Sequence, residues 1–221
     1  MNINQIKLHE RRRAFTLIEL LVVMAVIATL AAMIFPAAAM VKRNAYIKRV
    51  QAQMEAVKSA IETYKENVKV YPPENPGKPE LAPLYYELAG TLNAGGTFTT
   101  PLGGSISTSQ MSGFFGPGVT GFVNVAKGSG DEVQAAQNCI KNIKPNQYLE
   151  VSSGGAGSLL GVTDVGPLMF TNAVNQKTIN PWRYTSNSAT NNSGAFDLWV
   201  DVKIGNKIYR ICNWNDKPIV L

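Results

Sequence analysis

Hydrophobic positions divide this chain into three textures. From residue 15 to residue 41 they are nearly continuous, and Glu19 is the only charged residue among them. As one α-helix at about 1.5 Å per residue the run reaches about 40 Å. That exceeds the about 30 Å of a bilayer hydrocarbon core, so it predicts a transmembrane helix that tilts or partly emerges. Pro36 lies inside the run and predicts a kink, because proline lacks a backbone donor and crowds the preceding turn.

The second texture is a stripe. Ile47, Val50, Met54, Val57, Ile61, Tyr64 and Val68 are spaced alternately 3 and 4 apart, which is one face of a helix. Lys48, Arg49, Gln51, Gln53, Glu55, Lys58, Ser59, Glu62, Lys65 and Glu66 occupy the other face. No glycine interrupts residues 15–67, and Pro36 is the only proline there. The pattern therefore predicts one helix of roughly 80 Å, apolar first and amphipathic afterwards, ended by Val70-Tyr71-Pro72-Pro73. The stripe also suits a coiled coil. A strand-rich C-terminal half that needs cover favours packing on the chain's own body.

The third texture begins at residue 74. Gly, Pro, Ser and Thr recur through residues 74–130, which reads as loop. Short helices are predicted over 81–92 and over 132–141, the latter with Asp131 as N-cap. Phe114, Phe115, Phe122 and Val123 are expected to anchor these loops in a core. Near the C-terminus the period becomes two. Phe196, Leu198, Val200, Val202 and Ile204 alternate with Asp197, Trp199, Asp201 and Lys203. Gly205-Asn206 then predicts a tight hairpin turn, with a return strand over 207–214. A short strand at 219–221 and a surface loop at 186–194 complete the reading. The expected class is α+β, a long N-terminal helix packed on a C-terminal antiparallel sheet.

Composition changes the picture in three places. The formal charge of +6 is concentrated at the front. Lys7, Arg11, Arg12 and Arg13 against Glu10 give residues 1–14 a net +3, which leaves only +3 for the rest. That is too little to argue for nucleic acid. Three arginines beside an apolar run favour a cytoplasmic N-terminus, although Lys42, Arg43, Lys48 and Arg49 lie on the other side. The only histidine is His9. Without the leader the chain has no imidazole, which excludes Ser–His–Asp and Cys–His nucleophiles; no enzyme activity is expected. Cys139 and Cys212 lie beyond the apolar run. If that part is exported they form a disulfide candidate worth roughly 3–5 kcal/mol, the alternative being two buried thiols. An ordinary secretory signal ending near Ala37-Ala38-Ala39 is the competing view of the N-terminus, and Glu19 speaks against it.

The segment Ala14-Phe15-Thr16-Leu17-Ile18-Glu19-Leu20-Leu21, after Arg11-Arg12-Arg13, resembles the signal of type IV prepilins and type II secretion pseudopilins. The resemblance implies cleavage by a prepilin peptidase between Ala14 and Phe15, and methylation of the new Phe15 amine. Glycine usually precedes the cut in that family; here it is Ala14. Pro36 falls where many pilins kink. Ala60-Ile61-Glu62-Thr63-Tyr64-Lys65, Tyr71-Pro72, Asn180-Pro181-Trp182-Arg183-Tyr184 and Phe196-Asp197-Leu198 are similar to segments of major pseudopilins, whereas residues 74–176 have no counterpart there.

The implied domain plan is a leader at 1–14, a transmembrane and assembly helix at 15–41, its amphipathic half at 42–72, and a periplasmic pilin-like body at 73–221. The implied function is a subunit of a secretion pseudopilus or pilus-like filament, anchored once in the inner membrane or displayed at the cell surface. Its partners would be copies of itself, the peptidase, an inner-membrane assembly platform and membrane lipid. Glu19 is expected to pair with the Phe15 amine of a neighbouring subunit; the alternative is a mark for the peptidase only. No cofactor is expected beyond the calcium that major pseudopilins hold in a loop near the C-terminus. Asp197, Asp201 and Asp216 are the available carboxylates, the first two read as solvated because they share a strand face with Trp199 and Lys203. A DNA-uptake pilin is the other alternative, with Lys203, Lys207 and Arg210 around Trp199, Tyr209 and Trp214 as its support. Core positions are the simpler reading of those aromatics.

Overall fold

The computed structural model describes residues 15–127, 134–141, 143–152 and 156–221, with the backbone only for residues 33–39. Helix α1 spans Leu17–Val68. It stops where Lys69 turns to φ +71° and donates its N–H to Lys65 O at 2.8 Å. A left-handed residue just past the last turn is a common helix stop, and Pro72 prevents resumption. The chain forms two compact units, Met1–Ala45 and Tyr46–Leu221.

In the first unit the described apolar side chains of α1 face outward. Phe15 is 79% exposed and Leu17 81%, and every described residue through Leu30 is exposed. Among the described residues no helix is long and apolar enough to cross a membrane. The described apolar side chains from Leu17 to Ala32 cover about 24 Å, short of the about 30 Å that a hydrocarbon core needs. The span expected over 15–41 is thus not shown here.

The second unit is α+β with antiparallel sheets. Ile47, Val50, Met54, Val57, Ile61 and Tyr64 are buried, and Val68 is partly so. This stripe joins a single core, so the amphipathic half of α1 packs on its own body. Strands β1 (Leu92–Ala94), β2 (Thr97–Thr99) and β3 (Ser105–Ser107) form a small sheet. It lies between helices α2 (Leu84–Ala89) and α3 (Thr108–Phe114) in the chain. Strands β4 (Tyr148–Val151), β5 (Gly157–Val162), β6 (Phe170–Thr171) and β7 (Thr178–Pro181) pair in the order β4-β5-β7-β6. Gly161 is required at the β5–β7 contact, because a Cβ there would lie 2.3 Å from Asn180 O. The region read as loop therefore holds a sheet of its own, and a second one follows it, both built from short strands.

The last sheet runs β11-β10-β9-β8, from strands β8 (Arg183–Thr185), β9 (Asp197–Ile204), β10 (Lys207–Cys212) and β11 (Asn215–Val220). Ile204 faces Lys207 across the predicted hairpin turn, with Gly205 at φ +61°. Leu198, Val200, Val202, Tyr209, Ile211 and Tyr184 supply its inward face. Strand β11 is an edge, and Pro218 lies within it.

Two further expectations are corrected. Residues 134–141 are not helical: Gln134 bridges Lys127, and residues 135–140 have no regular structure. The Asn124 amide bonds the Gln137 backbone on both sides, and Cys139 N–H donates to Leu88 O, so tertiary partners take the groups a helix needs. The Asp131 N-cap lies outside the described residues. Val123 is 45% exposed, whereas Phe114, Phe115 and Phe122 do enter the core.

Candidate functional site

Ala14 lies outside the described residues, and the Pro36 side chain does too. Phe15 and Thr16 precede the helix. Thr16 N–H and Oγ1–H both donate to Glu19 Oε2, at 2.9 and 2.8 Å, and Glu19 N–H returns a bond to Thr16 Oγ1 at 3.3 Å. This reciprocal pattern is a capping box, which satisfies helix-end donors and fixes where α1 begins. Phe15, Ile18, Glu19, Val22 and Val23 line one shallow concavity, so the lone carboxylate sits in an apolar helix face with Oε1 uncommitted to Thr16. The chemistry on offer is a fixed negative group amid exposed apolar side chains, a surface that normally marks an interface or a membrane contact.

The structure scatters the three carboxylates named for a metal. Asp197 is 2% exposed and Asp201 5%, which corrects their reading as solvated. Loop residues 190–192 close over Asp197 with N–H donors. Arg210 grips Asp201 in a fork, Nε to Oδ1 at 2.8 Å and Nη2 to Oδ2 at 3.0 Å, and Asn180 donates to the Asp201 carbonyl at 2.8 Å. The strand period identified the correct face but could not show that loops cover it. Asp216 is exposed on β11, and its carbonyl accepts from Gln51. Among the described residues no group of three or more His, Cys, Asp or Glu is placed to hold a metal.

The disulfide is not made. Cys139 and Cys212 are both buried free thiols, and burial pushes both thiol pKa values up. The reason is their placement against α1. Cys139 lines a groove with Ser59, Thr63 and Asn67, and Cys212 lines another with Lys48, Gln51 and Lys58. At 100° per residue these sets flank the buried stripe on opposite sides, so the helix separates the thiols. The basic and aromatic residues of the hairpin are also divided. Tyr209 is buried, Trp199 and Trp214 stack edge to face at 5.7 Å, Arg210 is held by Asp201, and Lys203 and Lys207 point to solvent.

A buried carboxylate escaped the sequence reading. Glu87 on α2 is fully buried and accepts from Tyr64 Oη at 2.8 Å, Val123 N at 2.8 Å and Asn124 N at 3.0 Å. It ties α1 to α2 and to the 122–125 segment, and burial raises its pKa. Nothing in Leu84-Tyr85-Tyr86-Glu87-Leu88-Ala89 singles it out, because every residue of that short helix is buried.

Residues 10–35 match the prokaryotic N-terminal methylation motif. That motif is the signature of type IV prepilin- and pseudopilin-like proteins. The match takes in Arg11-Arg12-Arg13, the Ala14–Phe15 junction, the Thr16–Glu19 box and the apolar run up to Phe35. No curated protein and no solved structure matches the chain.

Proposed function

We propose that this protein is a filament subunit of the type IV pilin and pseudopilin kind, cut before Phe15, methylated on the new amine and assembled through α1. The observation that carries the reading is the methylation motif at residues 10–35. The exposed apolar face of the first unit supports it, since such a face needs lipid or other copies around it. In this reading the apolar run anchors the chain once in a membrane before assembly, with the Tyr46–Leu221 body on the far side. Packing against neighbours then replaces lipid contacts. Glu19 pairs with the Phe15 amine of a neighbour, because a carboxylate in an apolar medium is costly without a cation. The reading covers a secretion pseudopilus and a pilus alike. The subunit's partners in either case are the peptidase, an assembly platform, lipid and other copies.

The test is the mature N-terminus. Co-expression with a prepilin peptidase should give a chain that begins at Phe15 and carries one extra methyl group, read by sequencing and intact mass. A chain that begins near Met40, or remains uncut, rejects the proposal. In the same system Glu19→Ala should leave cleavage intact and abolish incorporation into filaments; unchanged incorporation removes the pairing.

A further inference from the structure

The resemblance to major pseudopilins implies calcium in a loop near the C-terminus, and Asp197 is the carboxylate in the matching segment. The donors around Asp197 do not fit a cation. Its Oδ2 accepts from Thr190 N at 2.9 Å, Asn191 N at 3.0 Å and Asn191 Nδ2 at 2.9 Å, and its Oδ1 accepts from Asn192 N at 2.9 Å. Four N–H groups surround the carboxylate, three crowding Oδ2, which has about two lone pairs to offer, and one on Oδ1. Calcium takes about six to eight oxygen ligands. A calcium ion at Asp197 would instead meet the positive ends of three backbone amides and one side-chain amide.

The other end of the same loop repeats the arrangement. Glu74 Oε2 accepts from Ser186 N at 2.7 Å, Ser188 N at 3.1 Å and Ser188 Oγ at 3.1 Å. Among the described residues neither Glu74 nor Asp197 forms an ion pair. Asp201 is committed to Arg210. The Ser and Asn content of residues 186–194 thus has a use: these residues present N–H and O–H donors to carboxylates.

We infer that two carboxylates of this chain, the half-buried Glu74 and the buried Asp197, organise the 186–194 loop as anchoring anions, and that the loop keeps its fold without calcium. The cation's role in holding the loop passes to seven hydrogen bonds, four on Asp197 and three on Glu74. This inference is independent of the assembly reading, because it concerns only the Tyr46–Leu221 unit.

The test uses the full chain in detergent, with thermal unfolding followed by tryptophan fluorescence and limited proteolysis followed by mass. In EDTA and in millimolar calcium chloride the wild-type midpoint should agree within about 1 °C, and cleavage in 186–194 should be equally slow. Asp197→Asn turns an amide toward N–H donors. It should lower the midpoint by about 5 °C and open the loop to protease in both solutions. Glu74→Gln should open the loop from its other end. A wild-type midpoint that calcium raises, or loop cleavage that EDTA accelerates, overturns the inference; these measurements decide even if Asp197→Asn does not fold. An Asp197→Asn chain that melts like wild type overturns the anchoring role.

Discussion

Glu87→Gln is the most informative substitution in the body. The ionised carboxylate offers two oxygens to three donors: Val123 N on Oε1, and Tyr64 Oη and Asn124 N on Oε2. Glutamine keeps one oxygen and turns an amide toward the remaining donor. At least one backbone N–H, that of Val123 or Asn124, is left unpaired, at about 1–3 kcal/mol. We expect a loss of about 2 kcal/mol at the alkaline end of the pH range, where the carboxylate is ionised, or about 4–8 °C for a chain of this size. The pH dependence gives the sharper test. Burial is the largest influence on Glu87 and raises its pKa above the ordinary 4.5. The folded state then holds the proton more tightly than the unfolded state, so this contribution is fully present below about pH 4.5 and fades as pH rises through the raised value. The glutamine that replaces it does not titrate. The stability gap between wild type and Glu87→Gln should therefore be largest near pH 4.5 and narrow toward pH 8. Denaturant unfolding read by tryptophan fluorescence at several pH values measures it, and taking the difference cancels the other titrating groups. A gap that widens with pH would refute the reasoning, since the N–H bonds to the ionised form would then outweigh desolvation.

Two further outcomes follow from the burial pattern. Ile61→Ala, at a fully buried position, should cost about 2–5 kcal/mol. Ile27→Ala, at a position 59% exposed in the first unit, should leave unfolding of the body within about 0.5 kcal/mol of wild type; denaturant titration of both variants measures the contrast. The intact mass of the oxidised, unreduced chain should show two free thiols that a maleimide reaches only after denaturation; a mass lower by two hydrogens would show that Cys139 and Cys212 can pair despite α1.

The helix stripe and the hairpin were legible because each repeats a period that only one element satisfies. Ile47 through Val68 hold the helical spacing over several turns, and Gly205-Asn206 supplies the left-handed turn that two alternating strands need. Residues 135–140 were not legible, because their fate depends on Asn124 and on Leu88 O, groups far away in sequence. The same holds for Asp197 and Asp201. Parity gave their strand face, but a loop and an arginine decide that this face is covered. Glu87 shows the limit most clearly, since only the arrival of Tyr64, Val123 and Asn124 distinguishes it from a solvated glutamate. At the N-terminus the signal is local, and for that reason the Thr16–Glu19 pairing lies within reach of the sequence. Thr16 stands three residues before Glu19, the spacing of a capping box.

The open edge of β11 bears on whether a further strand can pair with this sheet. Leu221 N–H points inward to Ile208 O, so alternation puts Ile219 inward and residue 218 outward. That outward residue is Pro218, which has no N–H to offer. Nearby, the Asp216 carbonyl is already taken by Gln51. A strand from an adjacent molecule therefore finds a broken ladder along this margin. An edge interrupted in this way is a poor template for adding a strand from another chain.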